Sequence, residues 1–104
     1  MQVPIAERSL IAEPKGAPRF EIELRIGVPA RSSNGAWACP ASIEGLSQRS
    51  LDTYGADSLQ ALLLALRTVR GVLEDFVKDG GKLYLPGDEG SGSMTVAEIF
   101  SQGV

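Results

Sequence analysis

The chain has no histidine and a single cysteine, Cys39, among its 104 residues. Without histidine, neither a Ser-His-Asp nor a Cys-His nucleophile system can be assembled in its usual form. His-containing zinc and iron sites fall with them, and one thiol makes no thiolate cage. A lone cysteine also excludes an internal disulfide and suits a reducing cytoplasm. Any catalysis would rest on carboxylates, Lys78, Lys82, a tyrosine or Cys39. Clustered basic residues are missing as well. Ten Lys and Arg face thirteen Asp and Glu, a formal charge of −3, whereas phosphate backbones select concentrated positive charge. The acids form no run that would read as a tail. "LQALLLAL" is too short and too patterned to span a bilayer. "MQVPIAERSL" lacks the basic and apolar regions of a signal peptide. These absences predict a cytoplasmic protein with no cofactor, no metal, no nucleic acid and no membrane partner.

What remains is enough for one core. Hydrophobic residues make up 43% of the chain, and a length near 100 predicts a single domain spanning 1–104. Residues 19–28, "RFEIELRIGV", alternate strictly. Phe20, Ile22, Leu24, Ile26 and Val28 take one face, and Arg19, Glu21, Glu23 and Arg25 the other, which predicts a half-buried antiparallel strand. Asn34-Gly35 then supplies a hairpin loop. In the returning "WACPASIEGL", Trp37, Cys39, Ala41 and Ile43 share a face, and Pro40 demands an edge or a bulge. "ERSLIAE" reads as a weaker strand before the hairpin and "RSLDTY" as a short one after it.

Asp57 and Gln60 form a capping box. Behind them Leu59, Leu62, Leu63, Leu66, Val69, Leu73, Phe76 and Val77 recur at helical spacing until Gly80-Gly81. Ala61, Ala65 and Val72 widen the apolar arc to roughly 200°, about twice what one sheet requires. The helix is therefore expected to touch a second body, either the C-terminal segment or another subunit. Leu64 is expected to project from the opposite side beside Arg67 and Gly71, where Gly71 either permits a close neighbour or serves no purpose. Lys82–Leu85 predicts a short strand, and 86–93 is Gly- and Ser-rich and expected to be mobile. Thr95 with Glu98 is a second capping box opening a short helix. Val96, Ile99 and Phe100 lie on one face of it, a lid for the long helix.

Three motifs carry a chemical temptation. "YGADSLQALLLAL" is similar to the phosphopantetheine attachment site of acyl and peptidyl carrier proteins, with Ser58 as anchor. A carrier is a helical bundle, however, and the residues before Ser58 hold five prolines and the best strand pattern in the chain. Asp and Ser at a helix start need no cofactor to explain them. "GDEGSGS" lacks the Lys-Ser/Thr ending of a phosphate loop and the pattern of a calcium loop. Cys39 and Trp37 fall on the inward face, where a structural thiol and a core indole are the simpler reading. Glu21 and Glu23 sit among arginines on a solvated face, not in a hydrolytic cleft.

"IAERSL", "WACPASIEGL" and "GADSLQALLLALRTVRGVL", in that order, resemble a family of small bacterial proteins that carry a domain of unknown function. Gly55 and Asp57 through Leu62 are the most specific part, a Gly-x-Asp-Ser-Leu-Gln-Ala-Leu helix start. The resemblance covers most of 5–85 and implies no activity. The fold expected is α+β: an antiparallel meander of three to four strands packed on one long helix, completed by a short C-terminal strand or helix. The function expected is docking, as an adaptor, chaperone-like or immunity-type module working as a homodimer or with a protein partner. Trp37, Leu64, Arg67, Gly71 and Phe100 are the interaction candidates. The alternative is a ligand-binding or enzymatic pocket between helix and sheet, mouthed by Tyr54, Tyr84 and the 86–93 loop.

Overall fold

The computed structural model describes residues 3–100, so the ends of the span expected as one domain lie outside it. Its elements run β1 (Pro4–Glu13), β2 (Phe20–Gly27), β3 (Ala30–Arg31), β4 (Trp37–Cys39), β5 (Ala41–Glu44), β6 (Thr53–Gly55), α1 (Ser58–Lys78), β7 (Lys82–Tyr84), a 3-10 turn (Glu89–Ser91) and α2 (Val96–Phe100). The fold is α+β, as the sequence predicts. One antiparallel sheet has the order β5-β2-β1-β7. A second sheet, β3-β4-β6, was not foreseen. It arises because the hairpin ribbon breaks at Pro40, between β4 and β5. Proline has no ladder donor, but its carbonyl still accepts from the Gly27 N–H at 2.7 Å. Beyond that point the ribbon leaves the first sheet, and β6, the "RSLDTY" strand, joins β4.

Period two sorts the strands as predicted through their middles. Ile22, Leu24, Ile26, Cys39, Ala41 and Ile43 are buried. At the ends it fails: Phe20 is 36% exposed and Val28 53%, because they lie at or past the ends of β2. The opposite face of the larger sheet is charged and solvated. There Arg25 lies among Glu7, Glu23 and Glu44, joining three strands.

The second capping box closes as predicted, and in the first Gln60 reaches back to the residue before the cap. The Asp57 carboxylate accepts from the Gln60 N–H at 2.8 Å, and the Gln60 amide oxygen accepts from the Ala56 N–H at 2.6 Å. Thr95 and Glu98 cap reciprocally at 2.9 and 3.1 Å. The far end of α1 closes in a Schellman motif: Gly80 and Gly81 donate to the carbonyls of Val77 and Phe76, with Gly80 at φ +99°.

The face α1 buries is Ala61, Ala65, Val69 and Leu73, while Leu59 and Leu63, expected inside, are 63% and 55% exposed. The cause is the closeness of β6. Gly55 lies so near Ala61 that only small side chains fit the seam, and the Thr53 hydroxyl donates to the Ala61 carbonyl at 2.8 Å. The second body that the wide arc requires is α2. Val96 and Ile99 are buried in the same core, and Phe100 packs against it beneath the Arg70 guanidinium.

Candidate functional site

β1 is ten residues long and β7 only three. β2 pairs with β1 from Pro4 to Ala12, whereas β7 reaches only Ile11, Ala12 and Glu13. Among the described residues, no strand pairs with the first half of β1 on the side away from β2. That half is open: Ile5, Ala6, Glu7 and Arg8 are all exposed. The ladder shifts register between Pro4 and Ala6, so Ile5 is the extra residue of a bulge.

Beside this edge runs a groove of about 220 Å³. Its wall comes from Ala6 and Arg8 of β1, Leu24 and Ile26 of β2, Leu66 and Val69 of α1, and Ile99 and Phe100 of α2. Glu7 stands at its rim. The Arg8 guanidinium donates to the Ile99 carbonyl at 3.0 Å, tying the strand to the last turn of α2. Exposed Leu59 and Leu63 precede Leu66 by seven and three residues. Helical geometry puts all three on one flank, so they extend the apolar strip toward the start of α1.

Of the five sequence-derived candidates, only Phe100 lines this groove. Trp37 is half-buried on the helix side of β4, packed against the core. Leu64 is half-buried rather than exposed, and Arg67 is exposed. Gly71 faces open space, with nothing within 4 Å of where a Cβ would stand. Leu64, Arg67 and Gly71 share one flank of α1, away from Phe100. The open edge and the exposure of Leu59 and Leu63 were missed. Only the early, scattered apolar residues Val3, Ile5 and Ala6 hinted at a strand longer than its partners.

The tyrosines do not mouth a pocket between helix and sheet. Strand parity turns Tyr54 to the outer side of its sheet, 61% exposed. Tyr84 pairs with Ile11 on the charged side of the larger sheet, yet it is only 5% exposed. Its ring lies 4.5 Å below the Arg19 guanidinium carbon and its hydroxyl donates to Glu13 at 3.3 Å. Arg19 in turn holds the Glu13 carboxyl below its ordinary pKa. Ser58 is exposed at the start of α1, but strands precede it, so the likeness to carriers ends with the motif. Cys39 is buried; burial, and then Asp52, push its thiol pKa upward, which disfavours a nucleophilic thiolate. Among the described residues, no polar or charged side chain is buried and no cluster of acids with cysteine could hold a metal ion. No helix among them is long and apolar enough to cross a membrane.

In comparison with known proteins, the model of a family described as a domain of unknown function (DUF6968) matches residues 6–96. No curated protein and no solved structure matches.

Proposed function

The chain belongs to the DUF6968 family, a domain of unknown function, and as no activity comes with that membership, we propose that it is a non-enzymatic docking module. Its docking face is the open half of β1 together with the groove beside it. The observation that carries this reading is the mismatch of β1 and β7, which among the described residues leaves a row of backbone donors and acceptors unpaired beside a groove where Ala6 and parts of Leu66 and Phe100 are open. An uncovered edge of this kind is a template for pairing with another chain. The chemistry of the groove points the same way. Its volume falls below the roughly 300–1,000 Å³ of small-molecule sites, and among the described residues Glu7 and Arg8 are its only charged side chains. A cytoplasmic setting and a bacterial source belong to this reading.

A photo-crosslinking amino acid at position 6, with position 48 in the exposed 45–50 loop as control, tests it in the cells that make the protein. A stoichiometric protein adduct at position 6 and none at 48 is expected. Labelling that is absent at 6, or equal at both positions, would remove the proposal.

A further inference from the structure

Resting on that docking reading, we infer that the occupant is an extended peptide segment with alternating apolar and basic residues, added to β1 as a further strand. A second copy of this chain fits the site poorly. The open segment, Pro4–Ser9, is about 20 Å long at roughly 3.3 Å per residue. With the groove beside it, the strip is about 15 Å wide, adding one strand spacing to one layer spacing. That is roughly 300 Å² per face, against the roughly 800 Å² per partner of a stable complex between folded proteins.

The edge itself also opposes self-pairing. Antiparallel pairing of β1 with its own copy must centre on one residue. Centring on Glu7 or Arg8 sets like charges directly opposite, which is destabilising. Centring on Ala6 brings the Ile5 bulge of both copies into the new ladder. A bulge and a proline at an edge are devices that block flat edge-to-edge association. They leave Ala6–Ser9 free for one narrow strand.

The two faces of the new strand meet different surroundings. Residues opposite Ala6 and Arg8 lie on the helix side, because those two share a face with Ile26 and Leu24. They enter the groove and must be apolar. Residues opposite Glu7 lie on the charged side, with Arg25 of β2 directly across β1. There Glu7, Glu23 and Glu44 share the single guanidinium of Arg25. The balance is negative, so Lys or Arg is favoured at those positions.

The test uses a fluorescent Lys-Leu-Lys-Val-Lys-Leu-Lys peptide, read by anisotropy and by backbone amide NMR. Saturable binding is expected, with shifts gathered at residues 6–9, 66, 69 and 100. Ala6→Glu, at an exposed position, should weaken it by about tenfold or more, since it puts an unpaired charge at an apolar contact. Glu7→Lys should weaken it about threefold or more, and by less at high salt. Unchanged circular dichroism and urea midpoints would show that both variants fold. A peptide with Glu for every Lys should bind at least about tenfold more weakly.

The inference is overturned if the acidic peptide binds equally well, if Ala6→Glu has no effect, or if sedimentation shows a dimer crosslinked through position 6. It also falls if the basic peptide does not bind while position 6 still captures a protein; in that case docking at β1 stands and only the peptide chemistry is wrong. If neither binds, both readings fall.

Discussion

Replacing Gly55 by alanine would place a methyl carbon 2.6 Å from the backbone nitrogen of Ala61 and 3.1 Å from its Cα. Both are main-chain atoms in the first turn of α1, so no side chain can swing aside. The contact is relieved only by lifting the helix off β6, which stretches the 2.8 Å bond from the Thr53 hydroxyl to the Ala61 carbonyl. Overpacking of this kind costs about 1–3 kcal/mol, and the weakened hydrogen bond about 1 kcal/mol more. A loss of about 2–4 kcal/mol follows. Gly71 is the internal control. It lies inside α1 with nothing within 4 Å of a new methyl group, so Gly71→Ala should gain about 1 kcal/mol from helix propensity alone. Urea unfolding followed by the only tryptophan, Trp37, reads both. The midpoint should fall for one variant and rise for the other at unchanged slope. Heat should magnify the contrast, at about 4–8 °C per kcal/mol for a chain of this size. A neutral Gly55→Ala would refute the close seating of α1 on β6. A destabilising Gly71→Ala would refute the open flank.

Three further outcomes are expected. Asp57→Ala should cost about 1 kcal/mol, since its carboxylate caps the Gln60 N–H; a loss below about 0.3 kcal/mol in urea would mean the cap is idle. Cys39 should resist a thiol reagent in the native state and react fully in denaturant, so prompt native labelling would contradict its burial. Glu98 and Glu13 have lowered pKa values, the first through hydrogen bonds with Thr95 and the second through Arg19. A lowered folded-state value gives stability that is complete above the unfolded pKa, about 4.3. It is lost as pH falls through the folded value. The urea midpoint should therefore hold from pH 8 to about 5.5 and drop below about 4.5, with a shallower drop in Glu98→Gln. A decline already present at pH 6 would point to other groups.

Local chemistry was legible wherever the information lies within a few residues. The alternation of Ile22, Leu24 and Ile26, both helix caps and the Gly80-Gly81 stop could be read directly, because each depends on chain geometry alone. The second sheet was not. Pro40 announces a break, but only pairing with residues 53–55 decides where the chain goes next. The buried face of α1 was misplaced for a related reason. A pattern weighs leucine above alanine, yet the distance of closest approach to Gly55 is what selects Ala61 and Ala65. The open half of β1 depends on the shortness of β7, some seventy residues away in sequence, and no local signal carries that.

The same separation has a consequence in time. β1 is made well before Lys82–Tyr84, its partner on the β7 side among the described residues. At roughly 5–20 residues per second, synthesis leaves the whole length of β1 without that partner for roughly 4–14 seconds, a delay set by the chain between them. A nascent chain must carry this bare edge past other unfinished chains on the ribosome. The bulge at Ile5 and the charges at Glu7 and Arg8 would then act before the fold is complete, as a guard against mispairing during synthesis.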